Sequence, residues 1–229
     1  MPQSLRLVPQ QSWAHHIGAV AFDMDGLMVN TEDLYTQVGD ELLHRRGKLF
    51  TPALKKEMMG LPGPKAFQVM IEFESLSDSV ETLAAESEVI FEGLLEKELQ
   101  ALPGLFDLFH RLEENRIPKC VATSSTRKFA TRVVELLQAT ERFEFIITAE
   151  DVTHGKPAPD IYLAAAAKLG VSAEEMLVLE DSQHGSQAGL KSGACTIAVP
   201  GEHSQDHCFD GVYAVADSLA DPIIHQLFE

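Results

Sequence analysis

The stretch that most constrains this chain is Ile17-Gly18-Ala19-Val20-Ala21-Phe22-Asp23-Met24-Asp25-Gly26, an apolar run that breaks off in two carboxylates flanking one methionine. Apolar and small residues without alternation suit a strand buried on both faces, the habit of strands in parallel sheets covered by helices. The acids then fall at the strand's carboxyl end. Ligands of open α/β sheets bind in the crevice outside those ends, so two acids placed there ask for a chemical reason that two acids on a helix surface would not.

The residues beyond the run support a sheet of this kind with an insertion. Asn30 or Thr31 is placed to cap a helix whose first turn carries Glu32 and Asp33. From about Thr31 to Leu102 only helical periodicities occur, broken at Gly47, at Thr51-Pro52 and at Gly60-Leu61-Pro62-Gly63-Pro64, which predicts a small all-helical insert. Its clearest helix runs through Val80, Leu83, Ala84, Ser87, Phe91, Leu94 and Leu95, with Asp78 and Glu81 spaced as a capping box. Beyond Pro103-Gly104 helices and apolar runs alternate. The runs are Cys120–Thr123, Phe145–Ile147, Met176–Leu179, Cys195–Val199 and Gly211–Val215, and a last helix is expected near Leu219–Leu227. Ser172 with Glu175 reads as a second capping box. The expected fold class is α/β, a doubly wound, mostly parallel sheet with helices on both faces and an inserted small all-α domain. Residues 1–16 are expected to be a poorly ordered leader, 17–30 and 103–229 the α/β core, and 31–102 the insert. The two neighbouring chain crossings make a natural hinge.

Composition narrows the function classes. At 229 residues and 45% hydrophobic content the chain can build a real core, and disorder is not the default. Eighteen Lys and Arg against 35 Asp and Glu give a formal charge of −17, which argues against non-specific binding to nucleic acid or to an anionic membrane. A small phosphorylated molecule remains compatible, because one lysine or a metal ion can reverse the sign of a pocket. Cys120, Cys195 and Cys208 form neither a C-x-x-C pair nor a disulfide framework, and the first residues resemble neither a signal peptide nor a membrane span. A cytoplasmic protein is the expectation, with a monomer as the default.

Several strands end in complementary polar chemistry: Asp23 and Asp25 after the first, Thr123-Ser124-Ser125 after the second, Glu180-Asp181 after the fourth, and Lys156 in the loop after the third. Each has a plain structural alternative. Thr123 to Ser125 could cap the next helix, Lys156 could lie in a surface loop, and either acid pair could be a turn. Together and in this order they suit phosphoryl transfer. One carboxylate attacks phosphorus, a divalent cation screens the repulsion, Lys156 neutralises developing charge, and Thr123 with local amides holds phosphoryl oxygens.

With these motifs the chain resembles the haloacid dehalogenase superfamily, in particular its phosphatases and β-phosphoglucomutase-like members with a helical cap after the first strand. The resemblance rests on Asp23-Met24-Asp25-Gly26, Thr123, Lys156 within Gly155-Lys156-Pro157-Ala158-Pro159-Asp160, and Glu180-Asp181-Ser182 followed by Gly185. It implies that Asp23 is the nucleophile and Asp25 the acid and base. It also implies Mg²⁺ held by Asp23, the Asp25 carbonyl and Asp181, with Glu180 a ligand or a neighbour of the ligands. Gly26, Thr123, Ser124, Ser125 and Lys156 would bind the phosphate. The implied activity is Mg²⁺-dependent hydrolysis of a sugar or nucleoside monophosphate. A sugar phosphomutase is the alternative, and a non-catalytic metabolite-binding protein a further one. The mutase's cap carries an Arg three residues after a Gly, where this chain has Gly63, and Lys65 reads as a solvated helix-start lysine. His154, His184 and Arg127 border the motifs, and His203, His207 and Cys208 lie close in sequence; a surface loop is favoured over a metal site for the latter.

Overall fold

The computed structural model describes residues 13, 16–58, 61 and 63–228. Of the expected leader, only Trp13 and His16 lie within the described residues. The chain divides into two compact units, Thr31–Leu99 and the remainder. In order, β1 (Ala19–Phe22) is followed by α1 (Thr31–His44), α2 (Pro52–Met58), α3 (Gly63–Glu74) and α4 (Val80–Glu98). The chain continues with α5 (Leu105–Glu114), β2 (Lys119–Ala122), α6 (Arg127–Leu136), β3 (Ile146–Ile147), α7 (Asp160–Leu169), β4 (Met176–Glu180), α8 (Gln183–Ser192), β5 (Cys195–Ala198), β6 (Ala214–Val215) and α9 (Pro222–His225).

The helical unit holds α1 to α4. Its expected capping box at Asp78 is corrected: Ser79 is the N-cap, its hydroxyl accepting from the Thr82 amide at 3.2 Å. Asp78 instead forms a paired hydrogen bond with Arg46, at 2.7 and 3.0 Å. A guanidinium fork offers a carboxylate more than a single backbone amide does, and two helices thereby become tied. Gly63 opens α3 and Lys65 is exposed in its first turn; Gly60 and Pro62 lie outside the described residues.

The other unit is a six-stranded sheet of order β3-β2-β1-β4-β5-β6, parallel throughout. Strand order reverses beside β1: the chain moves outward through β2 and β3, then returns to place β4 on the other side. A crevice at the carboxyl ends of β1 and β4 follows from that topology. All four residues of β1 are buried, but its two faces differ. Ala19 and Ala21 pack with Ile161, Tyr162, Ala165 and Ala166 of α7. Phe22, on the opposite face, meets Phe109 of α5 and Phe143 edge-on, with ring centroids 5.5 and 6.1 Å apart. Small side chains on one face let α7 approach closely, whereas the aromatic cluster fills a wider gap on the other.

Several boundaries moved for local reasons. The α8 helix starts earlier than its apolar pattern suggests, because Ser182 caps it through the Gly185 amide at 3.1 Å. The last helix is shorter than expected: Asp221 caps it, Pro222 starts it, and it tightens into a 3₁₀ turn at Gln226–Phe228. The capping box of Ser172 and Glu175 is formed as read. At the chain crossings, the Leu102 amide donates to the Met28 carbonyl at 2.8 Å, and the Asn30 side-chain oxygen accepts from the Gln100 amide at 2.8 Å. Among the described residues no helix is long and apolar enough to cross a membrane.

Candidate active site

The first acid sits where β1 ends. The Asp23 amide still belongs to the sheet, donating to the Leu179 carbonyl at 3.0 Å, so its side chain is set by strand geometry. Beyond it the chain folds into a tight turn in which the Gly26 amide reaches the Val29 carbonyl at 3.0 Å. Gly26 has φ +78°, and a Cβ there would lie 2.5 Å from Asp181 Oδ2. Any side chain would therefore both strain the turn and collide with the acid beside it.

Three elements bring charge to this point. The Lys156 side chain is only 6% exposed and donates to Asp23 Oδ1 at 2.5 Å, to Glu180 Oε1 at 2.6 Å and to the Ala122 carbonyl at 2.9 Å. Glu180, the last residue of β4, is fully buried. Asp23, Glu180 and Asp181 each present an oxygen within 4.8 Å of the others, the kind of cluster that holds a metal ion. The close packing again depends on a glycine, since a Cβ on Gly185 would lie 1.7 Å from Glu180 Oε1.

Electrostatically the site has too many acids for one ammonium. Burial, reinforced by the Glu180 and Asp25 charges, pushes Asp23 up to about 8 even though Lys156 pulls it down. Burial would lower Lys156, but the carboxylates of Asp23 and Glu180 outweigh it and hold the ammonium above its ordinary range. A divalent cation fits this deficit: hard oxygen donors are present, and the absent Cβ atoms at Gly26 and Gly185 keep Asp181 and Glu180 within reach.

The second acid is handled differently. Asp25 Oδ2 accepts from the Ser125 hydroxyl at 2.7 Å and from the Thr123 hydroxyl at 3.4 Å, while Thr123 Oγ1 accepts from the Ser125 amide at 3.0 Å. Thr123 and Ser125 thus reach the site, but the hydroxyls expected to bind phosphate are turned onto Asp25. Ser124 is exposed. Capping α6 is the work of Thr126, whose hydroxyl accepts from the Phe129 amide at 3.4 Å.

The bordering residues sort out plainly. Arg127 ties the start of α6 to β3, through the Ile146 carbonyl at 3.2 Å, and to the chain beyond it, through the Asp151 carboxylate. His154 shares Asp160 Oδ1 at 2.9 Å, and His184 is exposed. His207 accepts from the Gln183 amide at 3.3 Å and the Cys208 amide donates to the Gln183 side chain at 3.1 Å, so this loop closes against the start of α8. Among the described residues, the acid cluster with Asp23 is the metal-competent group. Sequence reasoning missed Tyr162, whose hydroxyl donates to Glu180 Oε1 at 2.6 Å. The signal for it was a polar-tipped aromatic in the otherwise aliphatic Ile161–Ala167 stretch of α7.

A family profile described as haloacid dehalogenase-like hydrolase matches residues 20–199, which contain Asp23, Asp25, Thr123, Ser125, Lys156, Tyr162, Glu180 and Asp181. The chain belongs to this family. Among haloacid dehalogenase-like relatives, the Drosophila melanogaster protein named "Probable pseudouridine-5'-phosphatase" is 34% identical over 210 residues, 87% of this chain and 89% of its own. The Arabidopsis thaliana (DL)-glycerol-3-phosphatase 1 is 32% identical over 92% of this chain and 70% of its own. β-Phosphoglucomutase from Clostridium difficile shares the fold, with a TM-score of 0.69 at 21% identity over 93% of this chain and 97% of that one. Membership together with the named phosphatases makes the chain a phosphoric monoester hydrolase of the haloacid dehalogenase-like kind.

Proposed function

We propose that the chain hydrolyses a small phosphorylated metabolite, a sugar or nucleoside monophosphate, with Mg²⁺ and through an aspartyl-phosphate on Asp23. The observation that carries this reading is the unequal treatment of the two acids. Asp23 lies against the Lys156 ammonium among other carboxylates, whereas Asp25 is held aside by hydroxyls. The first is suited to attack and the second to proton transfer.

An Asp23 oxygen attacks phosphorus, and the bond to the leaving oxygen breaks as Asp25, protonated, gives that oxygen its proton. Lys156 turns one N–H toward the phosphoryl group as negative charge moves onto it. Asp25, now a carboxylate, takes a proton from water, whose oxygen attacks phosphorus and frees Asp23 and inorganic phosphate. Thr123 and Ser125 keep the Asp25 carboxyl oriented between these steps. Asp23, Asp181 and the Asp25 carbonyl would hold Mg²⁺, with Glu180 next to them; when bound it supplies the positive charge that returns Asp23 to its nucleophilic form. Similarity to relatives named for pseudouridine 5′-phosphate and glycerol 3-phosphate supports a small hydroxylated substrate.

The test is a panel of sugar and nucleoside monophosphates incubated with the protein and Mg²⁺, followed by phosphate release. Turnover is expected for at least one, stopped by chelation and reduced by about a thousand-fold or more in Asp23→Asn. Activity that survives Asp23→Asn overturns the mechanism.

A further inference from the structure

Glu180 is a carboxylate with its hydrogen-bonding capacity taken up from within the protein. Oε1 accepts from Lys156 at 2.6 Å and from the Tyr162 hydroxyl at 2.6 Å. Oε2 accepts from the Ser182 hydroxyl at 3.1 Å and its amide at 3.4 Å. A carboxylate offers about four lone-pair positions, so four donors leave little for anything else. With Gly185 packed against it, Glu180 is built as an anchor.

What the anchor holds is Lys156. An ammonium has three N–H groups, and those of Lys156 are directed at Asp23, Glu180 and the Ala122 carbonyl. When a phosphoryl group arrives on Asp23, the N–H directed there must turn to a phosphoryl oxygen, and the other two become its tether. Tyr162 touches both ends of that tether. Its hydroxyl binds the same Glu180 oxygen, and the Lys156 ammonium lies 5.2 Å from the centre of its ring. The tyrosine is fixed by α7, where Ile161, Ala165 and Ala166 pack on the sheet. Burial and the neighbouring Glu180 charge raise Tyr162 well above its ordinary range, so it stays a proton-bearing donor.

We infer that Tyr162 is a positioning residue for phosphoryl transfer: its hydroxyl holds Glu180 so that Lys156 stays aimed at the Asp23 reaction centre. It touches none of the reacting atoms. Without the hydroxyl, Glu180 Oε1 keeps a single donor and draws Lys156 toward itself and away from Asp23. The loss falls on the chemical step, because Tyr162 contributes nothing to binding the rest of the substrate.

This inference rests on the phosphatase reading above, and the experiment separates the two. Tyr162→Phe keeps the ring and removes only the donor. With Mg²⁺ and p-nitrophenyl phosphate as the probe, kcat is expected to fall about 10- to 100-fold, with KM little changed. Mg²⁺ alone, titrated by calorimetry, is expected to bind about as tightly as to wild type, because the Asp23 and Asp181 carboxylates proposed to hold it are untouched by the substitution. In a Glu180→Gln background, removing the hydroxyl should lower kcat no further, since the two side chains act as one unit. Wild-type kcat in Tyr162→Phe overturns the inference, as does weakened Mg²⁺ binding with kcat restored at saturating Mg²⁺, or a full additional loss in the double variant. Asp23→Asn run alongside distinguishes the failures. If it is inactive while Tyr162→Phe is normal, only the role of Tyr162 falls; if it remains active, the phosphatase mechanism falls.

Discussion

The side chains of Lys119 and Lys156 are buried at the two ends of β2, the first opening the strand and the second donating to the carbonyl of its last residue, and their surroundings have opposite electrical character. Lys119 opens β2 and is 3% exposed. It donates to Glu113 at 2.9 Å, and the same carboxylate receives Arg142 through two hydrogen bonds at 2.8 and 2.7 Å. Both cations also lie near the Phe109 ring, at 5.4 and 5.0 Å. Here two cations share one acid, and the hydrogen bonds of Arg142, aided by Lys119, hold Glu113 down to about 2. At the carboxyl end, the single ammonium of Lys156 faces Asp23 and Glu180, with Asp181 beside them, and Asp23 is pushed up to about 8. Similar side chains therefore make a relaxed structural clamp at one end and a site short of positive charge at the other. The second is the condition under which a carboxylate gains most from a metal ion.

The sharpest way to break this contrast is to remove each lysine in turn. Lys156→Met leaves Asp23 and Glu180 buried without their cation, so a loss of about 3–5 kcal/mol is expected in urea unfolding. Phosphatase activity should fall about a hundred- to a thousand-fold at the same time. An unfolding midpoint equal to wild type would show that the acids do not depend on Lys156. Asp23→Asn acts in the opposite direction on stability. Relieving the excess of buried acid should stabilise the metal-free protein by about 1–2 kcal/mol at neutral pH, an active-site cost to stability that calorimetry without Mg²⁺ can measure. A lower melting temperature in that variant would contradict the picture of an acid-rich site.

The smallest effects belong to the clamp. Glu113→Gln should cost about 1 kcal/mol at pH 7, because the carboxylate is 40% exposed and partly screened. Its dependence on pH has a definite sign. The carboxyl is lower in the folded protein than its ordinary 4.5, so its stabilisation is complete above that value and fades as pH falls toward about 2. Denaturation of wild type and variant should therefore converge over that interval. A difference that grows on acidification would mean that the clamp does not depend on ionised Glu113.

Much of the fold was legible because its signals are local. The run from Ile17 to Phe22 has to be buried on both sides, and the βα alternation after Pro103 leads to a parallel sheet by rules of chain connection. Failures occurred where local and distant partners competed. Asp78 has capping chemistry, but Arg46 lies 32 residues away in sequence and takes it. Thr123 to Ser125 have it too, yet Thr126 caps the helix and leaves two hydroxyls for Asp25.

The sequence by itself determined the inventory of the site: two acids after the first strand, hydroxyls after the second, a lysine after the third, and an acid pair after the fourth. Periodicity and strand order suffice for that, since a parallel sheet gathers its carboxyl ends along one edge. Only the tertiary structure decided which group touches which. Lys156 meets an aspartate 133 residues away, Ser125 one 100 residues away, and Tyr162 a glutamate 18 residues away. Hydrogen bonds require placement to within a few tenths of an ångström. That precision comes from how α7 packs on the small residues of β1 and from where Gly26 and Gly185 leave room, which no spacing along the chain records.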